Sequence, residues 1–267
     1  MVCEQGHSHD RAKQGYFNLL LANQKRSKQP GDDKAMVTAR QKFLQAGHYR
    51  ALTTQLSQSF EQSSDADGPS HWLDIGCGEG FYLRHLAATN LNVQWYGLDI
   101  SKEAIKLSAK QSSGRSLPSS EQSSDSSGQF VVASSFRIPV NDSTVDGVLQ
   151  VFAPGSIDEI SRILKPHGIW IRVAPGPSHL ENIKRQLYTQ VKPHTSPEVP
   201  KGFTLASEDR VQSSLTIEDS ETLSHLIDMT PFSWQGDPAQ RTHLKSQSQF
   251  DEHLDFIIQR LQKTASI

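Results

Sequence analysis

Residues 73–82 read Leu73-Asp74-Ile75-Gly76-Cys77-Gly78-Glu79-Gly80-Phe81-Tyr82. The apolar run Trp72–Ile75 ends in Gly-x-Gly-x-Gly, and a helical pattern, Phe81–Ala88, follows at once. Glycines at alternate positions let the chain turn tightly and bring its backbone against a ligand, because no Cβ stands in the way. The next helix then presents its free N–H groups at the same spot.

Working outward, strand and helix alternate. Val93–Leu98 reads as a strand ending in Asp99, with Ser101 as N-cap of a helix through Lys110. Phe130–Val132 and Val145–Phe152 are strands, and Ile157–Leu164 is a helix stopped by Lys165-Pro166-His167-Gly168. Ile169–Ala174 is a further strand and Phe203–Ile217 is strand material. Thr222–Ile227 is a short helix, and Phe250–Leu261 is a strand or helix. Such alternation implies an α/β fold with a doubly wound, mostly parallel, seven-stranded sheet. Upstream, Met36, Phe43, Leu44, Leu52, Leu56 and Phe60 recur near every 3.6 residues, predicting helix over 33–60 with a break at Gly47. The expected organisation is a small N-terminal subdomain (1–30), a helical connection (31–62) and the α/β domain (70–267). A serine-rich surface insertion (112–128), with nine serines and little to bury, is expected to be disordered.

The glycine spacing differs from the Gly-x-Gly-x-x-Gly of dinucleotide sites, and Asp74 lies two residues before the first glycine. S-adenosylmethionine has no pyrophosphate but carries an ammonium and a sulfonium, so a nearby carboxylate suits it better than NAD. Asp99, 19 residues beyond Gly80, stands where an acidic side chain accepts ribose hydroxyls. The plainer alternative is a helix cap or turn residue. Ala133-Ser134-Ser135 occupies the place of an adenine edge, whereas Asp146 reads as a turn residue. Val151-Phe152-Ala153-Pro154 ends a strand at the crevice, where an aromatic ring either stacks on a flat base or packs.

Charge is uneven. The net charge is −2, yet residues 1–50 carry nine Lys/Arg against four Asp/Glu, and the remainder is acidic. A basic head on an acidic body suits a protein that meets phosphate with its head only; a solvated arm is the alternative. Mean hydropathy is −0.52, no run is long enough for a membrane span, and the start lacks a signal-peptide pattern. Two cysteines, Cys3 and Cys77, cannot build a disulfide framework, so a reducing cytoplasm is expected.

Beyond these readings, the chain resembles the bacterial 23S ribosomal RNA (guanine-N1) methyltransferases. The likeness is densest in Asp10–Leu20 (Gly15-Tyr16-Phe17-Asn18-Leu19-Leu20), Lys25–Asp32, Arg40–Tyr49 (ending Phe43-Leu44-Gln45-Ala46-Gly47-His48-Tyr49), Leu98–Lys102, Ala174–Leu180 and Met229–Trp234. It implies a Rossmann-like class I methyltransferase fold, S-adenosylmethionine as methyl donor and N1 of a guanine in a large-subunit rRNA hairpin as acceptor. It places cofactor contacts at Tyr49, Tyr82, Leu83 and His179, beside Asp74, Gly76, Gly78, Gly80, Asp99 and Ser134. His179 also fits a capping box, Ser178-His179-Leu180-Glu181.

Members of that family begin with a zinc finger. Here Cys3-Glu4-Gln5-Gly6-His7 matches only its second ligand pair, so zinc is doubtful and the start looks truncated. Gln150, Gly155 and His167 stand where relatives tend to carry Arg, Cys and Gly. The base that takes the N1 proton is unknown, with Asp10 and Glu79 as candidates. Lys13, Lys25, Arg26, Lys28 and Arg40 are candidate phosphate contacts. The expected partner is 23S rRNA, with a homodimer as a candidate assembly and no membrane. Two alternatives remain: a small-molecule methyltransferase of the same fold, and a non-catalytic RNA-binding relative.

Overall fold

A computed structural model describes residues 9–21, 30–63, 70–113 and 129–264. The insertion expected at 112–128 lies almost wholly outside them, as do Cys3, His7, Lys25, Arg26 and Lys28.

The strands are β1 (Phe17–Asn18), β2 (Ser70–Ile75), β3 (Val93–Asp99), β4 (Gln129–Val132), β5 (Val145–Val151), β6 (Leu164–Pro175), β7 (Phe203–Ile217) and β8 (Phe250–Lys263). They form one eight-stranded sheet in the order β1-β4-β3-β2-β5-β6-β8-β7. The pairings from β1 through β6 are parallel, and β8 is antiparallel to both β6 and β7. A seven-stranded sheet was expected, with Phe250–Leu261 open between strand and helix; that segment is the strand β8. The additional strand, β1, comes from the basic head, whose Phe17 and Asn18 pair with Val131 and Val132 at the sheet edge.

Around the sheet lie α1 (Lys34–Gln45), α2 (Arg50–Glu61), α3 (Phe81–Ala87), α4 (Lys102–Ser113), α5 (Ile157–Ile163), α6 (Glu181–Leu187), α7 (Ser220–Asp228) and α8 (Pro238–Lys245). Among the described residues none is long and apolar enough to cross a membrane. Side chains alternate across β2 and β3: Trp72 and Trp95 join one buried cluster, Leu73, Ile75 and Leu98 the other. The stripe Leu52, Leu56 and Phe60 presents one fully buried face of α2. Phe60 meets Trp72 and Trp95 at ring distances of 4.6 and 5.3 Å. Next to them a Cβ on Gly147 would fall 2.3 Å from the Trp72 indole, so only glycine admits that ring. Tyr16, Leu20, Phe43 and Leu44 belong to the same cluster, so the head and both leading helices are built into the sheet's cover.

Three local readings are corrected. Asp146 is no turn residue: it lies within β5, accepting the His71 N–H (2.8 Å) and the Lys165 ammonium (2.7 Å). Ser178 does not cap α6, because the chain passes through a left-handed residue, Leu180 (φ +54°), to enter the helix. The stop after α5 becomes the start of β6, with His167 at φ +63°, a conformation that favours glycine.

Candidate active site

The strand order reverses between β2 and β5, and there the carboxyl ends of the parallel strands leave a crevice. A cavity of about 1110 Å³ fills it. The glycine turn forms its floor. The N–H groups of Gly76 and Cys77 donate to the Leu98 carbonyl (2.7 and 3.0 Å). Gly76 has φ +70°, and a Cβ there would sit 2.3 Å from the Ala153 Cβ, so the turn after β2 and the loop after β5 touch through a missing side chain.

Asp99 closes the turn from the other side. Its Oδ2 accepts the Gly78 N–H (2.9 Å) and its Oδ1 the Ser101 N–H (2.7 Å). Burial raises its pKa, and those two N–H groups pull it back. Asp74, 2% exposed, is pushed well above the usual carboxylate range by burial, then by Asp99 and Glu79. Glu79 is also buried, and neither carboxylate oxygen has a hydrogen-bond partner among the described residues. Burial raises its pKa against the opposing pull of Arg40.

Arg40 is the correction that matters most here. Expected to reach phosphate, it lies largely buried in the cavity wall, paired with the Asp32 carboxylate and within reach of the Met229 carbonyl. Burial works against its charge, but Asp32, Glu79 and Asp99 outweigh it. Its inward direction was readable: Arg40 shares the α1 face of Val37 and Leu44, both buried, at helical spacings of three and four.

Tyr49, Tyr82, Phe152 and His179 also line the cavity. The His179 ring stacks on Phe152 (5.8 Å between centroids, 18° between planes) and meets Phe256 at 4.8 Å. Its Nδ1 accepts the Asp255 N–H (3.3 Å), and burial, with Lys184 and His194, lowers its pKa to about 3. A neutral ring accepting at Nδ1 carries its proton on Nε2, so His179 offers a donor there and no base. Phe152 itself has φ +52° and stays 41% exposed, an aromatic face held open at the end of β5.

Of the expected cofactor residues, Tyr49, Asp74, Gly76, Gly78, Tyr82, Asp99, Ser134 and His179 all line this cavity. Leu83 does not: it is 1% exposed within the core. Gly80 is also outside the lining; at φ +78° it caps α3 and abuts Arg84 and Ser108. Asp10, one of the two base candidates, is exposed on the head, whereas Glu79 faces the cavity. Lysine and histidine residues that line the wall, Lys184 and His194, were not anticipated. Among the described residues no three His, Cys, Asp or Glu side chains group as metal ligands.

Comparison with known proteins points to one family. A model of the methyltransferase domain matches residues 73–171, and a zinc-ribbon model described as RlmA, N-terminal, matches residues 1–28. A Streptomyces fradiae protein named 23S rRNA (guanine(748)-N(1))-methyltransferase is 31% identical over 242 residues, covering 88% of this chain and 80% of its own. A Micromonospora griseorubida protein, provisionally named as a 23S rRNA (guanine-N(1)-)-methyltransferase, is 33% identical over 260 residues (90% and 82%). A solved structure from Bacillus halodurans C-125, provisionally described as a methyltransferase, superposes with TM-score 0.52 at 14% identity, covering 79% of this chain and all of that one. That likeness shows the class I methyltransferase fold.

Proposed function

The chain belongs to the 23S rRNA (guanine-N1)-methyltransferase family, and from that premise we propose that it methylates N1 of a guanine in 23S rRNA with S-adenosylmethionine bound across the glycine turn. The observation that carries the cofactor assignment is the charge of the cavity. Asp74 and Glu79 are buried at the glycine turn and Asp99 is half-buried beside them, while the nearby Arg40 guanidinium is already engaged by Asp32. A pyrophosphate would meet carboxylates there. A ligand with an ammonium and a sulfonium meets opposite charge, and Glu79 has two oxygens free to receive it. Arg40 is suited to the ligand's carboxylate, Asp99 to its ribose, and Ser134 to its adenine edge.

When bound, this cofactor supplies an electrophilic methyl group on a positively charged sulfur. The protein's part is to align the acceptor nitrogen with that methyl and to manage the N1 proton. Phe152 offers a face on which an extruded guanine stacks. His179 donates from Nε2 and takes no proton.

For zinc, residues 1–28, which the zinc-ribbon model matches, offer part of a four-ligand set. Cys3 and His7, even with His9, fall short of four ligands, and the second cysteine, Cys77, is buried in the glycine turn. The reaction belongs with ribosomal RNA in the cytoplasm.

The test is to incubate the protein with S-adenosylmethionine and 23S rRNA transcripts, then digest the RNA and identify the methylated nucleoside by mass spectrometry. The reading expects 1-methylguanosine at one position. A methyl group on another atom, or transfer only to small molecules, contradicts it.

A further inference from the structure

Lys184 is the unexplained charge of this cavity. It lies on α6, on one buried face with Leu180, Ile183 and Leu187, and is itself 7% exposed. Its Nζ is shielded from solvent and has no hydrogen-bond partner among the described residues. The acids that act on it are Glu252, Glu181 and Asp255, and each is committed elsewhere. Glu252 accepts the N–H groups of Asn182, Ile183 and His253 (3.1, 2.9 and 2.6 Å). Asp255 accepts the Ser178 N–H and two Arg210 donors (2.9, 2.9 and 2.8 Å). Glu181 pairs with Arg185 at 2.7 Å. The two other titratable groups nearby, His179 and His194, are kept neutral by burial and by Lys184 itself. A buried ammonium in this condition is costly unless a ligand brings an acceptor.

Lys184 lines the cavity in the same wall as His179, which stacks on Phe152. On the reading given above, the acceptor brought there is a guanine. Its O6 adjoins N1, and the charge left when N1 loses its proton spreads onto that oxygen. We propose that Lys184 donates a hydrogen bond to O6 of the target guanine, orienting N1 for attack and stabilising the charge that develops on the base. The N1 proton leaves to water as the N1–carbon bond forms, and the methyl–sulfur bond breaks with its electron pair staying on sulfur. Lys184 keeps its proton throughout. Burial makes this ammonium more acidic than usual, which strengthens its hydrogen bond to an oxygen gaining charge. The same contact rejects adenine, whose amino group at that position would oppose a donor with a donor.

The test uses the full chain and Lys184→Met, which keeps the apolar stem and removes the donors. Each is titrated with S-adenosylhomocysteine, then assayed in single turnover on a transcript bearing guanosine or 6-thioguanosine at the methylated position. The proposal expects unchanged S-adenosylhomocysteine affinity and a rate on guanosine lower by roughly 10²-fold, the usual loss for one such donor. Replacing O6 by sulfur, a poor acceptor, should change the wild-type rate by roughly tenfold more than the variant's. A variant that methylates guanosine at the wild-type rate, or responds to sulfur as the wild type does, overturns the proposal and leaves the activity standing. Loss of S-adenosylhomocysteine binding in the variant also overturns it, by making Lys184 structural. A wild-type chain that binds S-adenosylhomocysteine but methylates no transcript overturns the underlying reading, and this proposal with it.

Discussion

Asp99 accepts the backbone N–H of Gly78 at 2.9 Å and so ties the end of β3 to the glycine turn that follows β2. With its second oxygen on the Ser101 N–H, the carboxylate is a strut as well as a ligand group. Asp99→Asn keeps one acceptor but turns an amide NH₂ toward one of those N–H donors. The variant should lose about 1–3 kcal/mol of stability, the cost of a buried donor left unpaired. Urea unfolding measures it, and an unchanged midpoint would show that the strut is dispensable.

Asp74 gives the fold a pH dependence of known sign. Its folded pKa lies well above the unfolded value of 3.8, so the folded state holds a proton that the unfolded state releases. That contribution is fully present below about pH 4 and is lost as pH rises through the folded pKa. The unfolding free energy of the wild type, minus that of Asp74→Asn, should therefore fall with rising pH. A flat difference across that range would contradict the assignment.

His179 has the opposite sign. Its pKa drops to about 3 from 6.5, so the unfolded state binds the extra proton between those values. Stability present above pH 6.5 is lost as pH falls, by on the order of 2 kcal/mol at pH 5. His179→Gln should flatten this part of the profile. In the wild type, the ring's NMR signals should show no titration between pH 5 and pH 8; an inflection near 6.5 would refute the buried neutral ring.

Gly76→Ala places a Cβ against the Ala153 methyl and forces alanine to φ +70°. Overpacking of this kind costs about 1–3 kcal/mol, and the left-handed backbone about 1 more. Adding Ala153→Gly should recover the steric part and leave the backbone part. If the double variant is no more stable than the single one, the contact is not the source of the loss.

How much of this was legible in the sequence depended on range. The glycine turn, the strand-end Asp99 and the α2 stripe Leu52-Leu56-Phe60 all follow from local spacing, because strands and helices repeat every 2 and about 3.6 residues. Arg40 was equally local, but its charge masked the fact that it continues the buried face of Val37 and Leu44. His179 was harder. Its capping-box pattern forms no cap, and the ring is engaged by the N–H of Asp255, 76 residues away. The burial of Lys184 was as local as that of Arg40, for it shares a helical face with Leu180 and Leu187. Its isolation was not, since it arises from carboxylates on β8 and α6 that are already satisfied by other donors. The two-residue β1 is likewise invisible to periodicity, being defined only by its pairing with Val131 and Val132.

The most direct test of the central claim, that the cavity over the glycine turn is the methyl-donor site, is calorimetric titration of the full chain with S-adenosylhomocysteine, repeated on Asp99→Ala. The account predicts one site per chain for the wild type and an affinity lower by roughly 10²-fold or more in the variant, the loss expected when a charged acceptor is removed. Absence of binding by the wild type, or equal binding by the variant, would contradict it.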